Sequence, residues 1–266
     1  MIFTAVNATI PTTKRTRMNP NIICEIGINH EGSVAKAMEL IREIADAGLE
    51  YVKFQVWDED YFDNDPNKEV FRKFYLSNKE MITLIDEAHI RGLKWGASTF
   101  GDNATNFVLH QNPDFYKVAS RRAGDKALAQ QLLAAGYTEK PVLVSHGMEY
   151  YNEYSRDIWH SQTVHMHCVS NYPTLPEHAD LWRLSETITD SNVRIFNGYS
   201  DHTEGTSAMI VAGILGAEWI EKHVCDREQL LEWLNYKRGT PDIACSITPS
   251  MIYSASVQIA HYRRYL

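Results

Sequence analysis

The 266-residue sequence is short of several features that would assign it to a class at once. It has only four cysteines, Cys24, Cys168, Cys225 and Cys245, and none are paired in a C-x-x-C spacing. That argues against a disulfide scaffold and for reduced thiols in a cytoplasmic setting. Positive charge is in deficit: 26 Lys and Arg against 34 Asp and Glu leave a net charge of −8. Sequence-independent nucleic-acid binding needs a basic footprint and is excluded as an expectation, whereas a locally basic pocket is not. No apolar run approaches the roughly 20 residues of a membrane span. The stretch 1–20 carries a short apolar patch followed by basic residues, the reverse of an export signal, so a soluble, non-exported protein is expected. A GxGxxG loop is missing, and so is any linker of altered composition.

What the sequence does contain is a repeated beat of a short β-branched or aromatic run, a polar turn and an amphipathic stretch. Strands are expected at 21–27, 51–56, 93–99, 115–120, 141–146, 163–168, 194–200 and 218–224. Helical periodicity is clearest over 34–48 and 79–92, and Gly48, Gly92, Gly136 and Gly216 stand where helices should end. Eight alternating units predict an α/β fold, a closed (β/α)8 TIM barrel over 21–266, with 1–20 as a short amino-terminal cap. An open doubly wound sheet is the alternative, disfavoured by the missing phosphate loop. Two insertions interrupt the beat: an acidic, aromatic one at 57–77, which suits a lid or a partner surface, and one at 225–250 after the last strand.

In such a barrel the active site gathers at the carboxyl ends of the strands. Those ends carry Glu25, Lys53, Gln55, Ser98, Thr99, Lys117, Ser120, Ser145, His167, Ser170, Ser200, His202, Lys222 and His223. His202 and His223 would emerge from adjacent strands, with Asp201 and Glu221 beside them. Two neutral imidazoles suit Mn2+, Co2+, Fe2+, Ni2+ or Zn2+ and leave positions open for water and substrate, as a Lewis acid requires. Lys53 and Lys117 with several serines suit a small ligand bearing carboxylate and phosphate groups. A Schiff-base role for a lysine stays open.

The segments EIGINHEGS (25–33), VKFQ (52–55), STF (98–100), KVAS (117–120) and SHGM (145–148) form an ordered series. HCVSNYP (167–173), GYSDHTEG (198–205), IEKHV (220–224) and GTPDIACSITP (239–249) continue it. Together they resemble the sialic acid synthase family, which includes legionaminic, pseudaminic and spore-coat polysaccharide synthases. The resemblance implies condensation of phosphoenolpyruvate with the open-chain aldehyde of an N-acetylated hexosamine, giving a 2-keto-3-deoxy sugar acid and phosphate. It implies a divalent metal on His202 and His223, Mn2+ foremost, with Co2+, Mg2+ or Zn2+ as alternatives. It makes Lys53, Thr99, Lys117, Ser120, Ser145, Ser170 and Ser200 the phosphoenolpyruvate cradle. Glu25, Gln55, Tyr172, Glu221 and Asp242 would orient sugar, metal or water.

Three departures from that pattern stand out. Arg121-Arg122 occupies the place of a Gly-Glu pair, and a guanidinium cannot act as a base near neutral pH. Both arginines are therefore candidates for gripping an anionic acceptor. His146 replaces a small hydroxyl residue. The antifreeze-like carboxyl-terminal domain of the family, through which its members pair as dimers, has no counterpart in the sequence, so the barrel alone is expected. The 57–77 insertion is then the candidate interface for a homo-oligomer. Two other readings remain beside the synthase: another metal-dependent barrel aldolase or isomerase, and a non-catalytic or partner-dependent barrel.

Overall fold

Each short β-branched or aromatic run becomes a parallel strand, and the eight strands close on themselves in sequence order. The computed structural model describes residues 19–137, 139–148, 158–159, 163–187 and 194–265. Strands β1 (Asn21–Glu25), β2 (Tyr51–Trp57), β3 (Lys94–Phe100) and β4 (Phe115–Val118) form one half of the wall. Strands β5 (Val142–His146), β6 (Val164–Cys168), β7 (Gly198–Asp201) and β8 (Trp219–His223) form the other. Closure is made by β1 and β8, paired in register from Asn21↔Trp219 to Glu25↔His223. The expected barrel is therefore present. The expected cap falls, up to residue 18, outside the described residues.

The helices are α1 (Val34–Asp46), α2 (Lys68–Lys73), α3 (Asn78–Ile90), α4 (Asp102–His110) and α5 (Lys126–Ala134). They continue as α6 (Ser207–Ile214), α7 (Arg227–Tyr236) and α8 (Pro249–Tyr262). Gly48 follows α1 at φ +77°, and Leu49 N donates back to Ile44 O, which satisfies an end carbonyl of the helix. The glycines at 92, 136 and 216 have the same sign of φ and the same place in the beat.

Alternation along the strands sorts the barrel's contents. Val52, Phe54, Trp95, Ala97, Tyr116, Val144 and Ile220 face outward and pack with helix residues such as Leu40, Ile41, Ile44 and Leu84. Ile23, Tyr51, Phe115, Leu143, Met166 and Trp219 face inward and close the amino-terminal end. The next inward positions toward the carboxyl end are Glu25, Lys53, Ser98, Lys117, Ser145, Cys168, Ser200 and Glu221, all buried and nearly all polar. The 57–77 insertion holds α2 and folds aromatic side first onto this mouth, where Phe62, Phe74, Trp57, Phe100 and Ile28 form a separate apolar cluster. The helix completing the outer ring is α8, which packs between α1 and α6. Helix α7 lies on the rim and buries only Gln229.

Candidate active site

The eight inward positions and the residues just above them line one cavity of about 50 Å³. Of the residues expected from sequence, it brings together Glu25, Lys53, Gln55, Lys117, Ser120, Ser145, Tyr172, Ser200, His202, Glu221 and His223. A wider cavity of about 310 Å³ adjoins it and holds Ser170, Asp242 and Arg121, with Phe62 and Phe71 from the insertion. The two share Gln55, Phe100, Ala119, Ser120 and Tyr172, so they form a floor and a vestibule of one site.

The floor is ionic. Lys53 Nζ is ion-paired with Glu25 and lies 3.2 Å from Glu221 Oε1, while donating to Ser98 Oγ at 2.9 Å. Lys117 Nζ lies 3.2 Å from Glu221 Oε2, which also accepts from Ser200 Oγ. Two cations and two carboxylates alternate, so burial is offset pair by pair. Burial alone would raise Glu221, but Lys117 and Lys53 outweigh it and hold the carboxyl well below the usual range. Burial, with Lys117 beside it, brings Lys53 down to about 8 against the opposing pull of Glu221. Ser145 Oγ is buried with no hydrogen-bond partner among the described residues, which leaves its hydroxyl for a ligand. Ser120 Oγ accepts from Gly147 N at 2.8 Å and Met148 N at 2.6 Å, so its own proton is available to donate.

Above this floor stand the two histidines. Their ring centroids are 5.7 Å apart, and the Tyr172 ring packs on His202 at 4.1 Å. His202 Nδ1 donates to Val169 O at 2.7 Å, which leaves the Nε2 lone pair exposed to the cavity. His223 Nδ1 is buried with no hydrogen bond, 3.4 Å from Asp242 Oδ2. Burial brings His202 down to about 4, helped by His223, and His223 to about 3, so both are neutral at physiological pH. Neutral imidazoles with a free lone pair fit a divalent cation. Among the described residues no three His, Cys, Asp or Glu side chains converge as a metal cluster. Gly27, at φ +54°, passes so close that a Cβ there would collide with Asp242 Oδ2 and come within 3.0 Å of His223 Nδ1.

Several expected residues lie elsewhere. Thr99 was expected in the phosphoenolpyruvate cradle, but it faces out of the barrel, where its hydroxyl bonds Thr105 Oγ1 at 2.8 Å and Tyr116 OH. Its neighbour Ser98 has the inward parity and lines the smaller cavity. Arg122 is turned away as well: it donates to Thr99 O at 3.0 Å and to Asp125 Oδ2 at 2.7 Å, and lines neither cavity. Arg121 does reach the vestibule, stacked over Phe62 and 3.3 Å from Asp65 of the insertion. Asp201, expected beside the metal pair, points outward to Lys222. His146 also points outward, its Nε2 2.9 Å from His165 Nδ1. Cys168 and Phe100 were not foreseen as site residues, whereas the aromatic insertion at 57–77, which its composition suits to a lid or partner surface, does border the vestibule. Strand parity places Cys168 with Met166 and Phe100 with Ser98, but the wall has no periodic signal. All four cysteines are free and buried, and burial pushes the Cys168 thiol up to about 12, which makes it a poor nucleophile.

Fold and site together define a parallel (β/α)8 barrel with an enclosed ionic centre at the carboxyl ends of its strands. The chain belongs to the NeuB family, whose model matches residues 40–264. It is 29% identical to N-acetylneuraminate-9-phosphate synthase of Drosophila melanogaster, over 91% of this chain and 68% of that protein. It is also 29% identical to pseudaminic acid synthase of Campylobacter jejuni, over 76% of this chain and 64% of that protein. The crystal structure of N-acetylneuraminic acid (sialic acid) synthetase from Leptospira borgpetersenii in complex with citrate superposes with a TM-score of 0.80 at 26% identity. That match covers 97% of this chain and 88% of the other. The chain spans between 61% and 68% of the length of the first relatives it matches. No helix among the described residues is long and apolar enough to cross a membrane.

Proposed function

We propose that the chain condenses phosphoenolpyruvate with a sugar aldehyde, forming a 2-keto-3-deoxy sugar acid and releasing phosphate. The observation that carries this reading is the floor: Lys53 and Lys117 with unspent hydroxyls at Ser120 and Ser145, beneath two neutral histidines. Buried cations and hydroxyl donors in a closed pocket suit a small ligand with carboxylate and phosphate groups. The vestibule above, with Gln55, Tyr172 and Asp242, suits the aldehyde. A divalent cation held by His202 and His223, Mn2+ first among candidates, would supply Lewis-acid polarisation of the aldehyde oxygen.

In this reading the enol carbon C3 attacks the aldehyde carbon, and the aldehyde oxygen takes up a proton. Asp242, whose carboxyl burial raises above the usual carboxylate range, is suited to exchange that proton. Water adds to C2 and loses a proton, and the C2–O bond then breaks to release phosphate. Glu221 stays ionised and keeps both lysines aimed at the ligand's oxygens. Gln55 and Tyr172 border both cavities, where they can fix the aldehyde against the enol.

Purified protein with Mn2+ and phosphoenolpyruvate should release phosphate only when an aldehyde sugar is added, assayed over a panel of N-acetylated hexosamines with and without phosphate. The product mass should equal both substrates plus water minus phosphate. Replacing Lys117 with Met should lower the rate about 100-fold or more. Absence of aldehyde-dependent phosphate release across the panel would reject the reading. The lowered Lys53 gives a second reading some support, a Schiff-base aldolase, since a buried amine near 8 is partly unprotonated. Borohydride trapping with pyruvate separates the two: the synthase leaves the protein mass unchanged, and the aldolase adds a stable adduct.

A further inference from the structure

One strong ionic contact near the site faces away from it. Asp201 and Lys222 are Cα partners across β7 and β8, and both point outward from the barrel. Their side chains are wholly buried, with Lys222 Nζ 3.1 Å from Asp201 Oδ2. Lys222 Nζ also donates to Thr203 O at 2.5 Å. Thr203 returns to Asp201 Oδ1 twice, from its backbone N and its hydroxyl, each at 2.8 Å. Tyr199 OH also donates to Asp201 Oδ1 at 3.4 Å, and the ring of Tyr199 and the side chain of Ile220 carry the wall into the main apolar core. A buried ion pair in such a wall is weak evidence for stability, because an apolar pair of similar volume often serves as well or better.

Its position in the chain suggests another use. His202 lies between Asp201 and Thr203, both tied to Lys222, and His223 is the residue after Lys222. Alternation turns Asp201 and Lys222 outward and their successors inward. We propose that Asp201 and Lys222 form a clasp behind the barrel wall that sets the spacing and ring orientation of His202 and His223. They are positioning residues, acting through the histidines without touching the cavity. The carbonyls of the two histidines are held as well, His202 O by Thr174 N at 2.8 Å and His223 O by Ile247 N at 3.1 Å. The clasp therefore governs a unit already anchored on its other sides. The proposal rests on the reading of His202 and His223 as a working pair, and the test separates the two claims.

The double variant Asp201→Leu/Lys222→Met replaces the pair with apolar groups, and Asp201→Asn breaks the charge while keeping an acceptor for Thr203. The readouts are the thermal midpoint, phosphoenolpyruvate affinity of the metal-free protein, Mn2+ affinity by calorimetry, and the imidazole 15N resonances of His202 and His223. The expected result in both variants is a phosphoenolpyruvate affinity close to that of the parent, shifted imidazole resonances and Mn2+ affinity weakened about tenfold or more. The midpoint should stay close to the parent's in the double variant and fall in Asp201→Asn, which leaves Lys222 buried without its partner charge. A folded variant with unchanged imidazole resonances and Mn2+ affinity within about twofold would overturn the clasp. If the double variant does not fold, Asp201→Asn is read by the same criteria. If the parent protein binds no Mn2+, the functional reading of the pair fails, and the imidazole resonances still decide the clasp.

Discussion

Lys53 stands between two carboxylates and close to a second lysine, and burial loosens its proton. Protonated, it can hold an anion; above about 8 it loses that charge. The kcat/KM for phosphoenolpyruvate should therefore be flat between about pH 6.5 and 8 and fall about tenfold per pH unit above 8. Lys53→Arg should remove that alkaline limb, since a guanidinium stays protonated across the range. A limb unchanged in Lys53→Arg would assign the titration to another group. At this scale the sequence was legible wherever strand parity and residue type agreed, as for Glu25, Lys53, Lys117, Ser145, Ser200 and Glu221. It misled where two plausible neighbours differ only in parity. Ser98 and Thr99 are both hydroxyl residues, and strand register alone sends one inward and the other toward Tyr116. For Arg122, residue type suggested a ligand, but the short 3-10 turn Ser120–Arg122 aims it at the carbonyl of Thr99.

Elements show the same division. All eight strands were legible, because β-branched runs bounded by turn residues recur with helical stretches between them. Their ends were less so. The run at 194–200 begins pairing in the barrel only at Gly198, because Arg194 is spent on a bridge to Thr187 and a bond to Leu215 O. The 57–77 insertion was legible as an insertion, but its anchorage was not. Helix α4 has Gly101 at its N-cap and no side chain of its own there to receive its first amides. Asp58, just past β2, supplies that cap from outside: Oδ1 accepts from Ala104 N at 2.6 Å and Oδ2 from Asn103 N at 3.2 Å. The same residue starts the insertion, so one carboxylate fixes a helix and the hinge of the aromatic wall. Asp58→Ala should destabilise the protein by about 1–2 kcal/mol in urea unfolding, with Asp58→Asn losing less. A loss below about 0.3 kcal/mol would show that the cap is satisfied in another way.

The whole molecule carries an acid liability. Burial brings His30 and His202 down to about 4 and His146 and His223 to about 3, from an ordinary value of 6.5. Each therefore binds its proton more readily in the unfolded chain than in the fold. Stability from these groups is complete above about pH 6.5 and is lost as pH falls toward their folded values, at about 1.4 kcal/mol per unit for each. At pH 5 that is about 2 kcal/mol per histidine, and in sum comparable with the ~5–15 kcal/mol margin of a typical fold. Circular dichroism should show cooperative unfolding that begins between about pH 5 and 6. A fold intact at pH 4 would mean that these imidazoles reach solvent and protonate in place.

The apolar layer of Tyr51, Phe115 and Trp219 closes one end of the barrel, and the ionic floor meets the vestibule through shared residues at the other. Among the described residues such a vessel opens at one end, and that fixes an order of events. Whatever sits on Lys53 and Lys117 must arrive first and depart last. An acceptor that enters early blocks the way behind it. On the proposed reading, turnover would be a strictly sequential affair in which excess sugar inhibits by standing in the doorway.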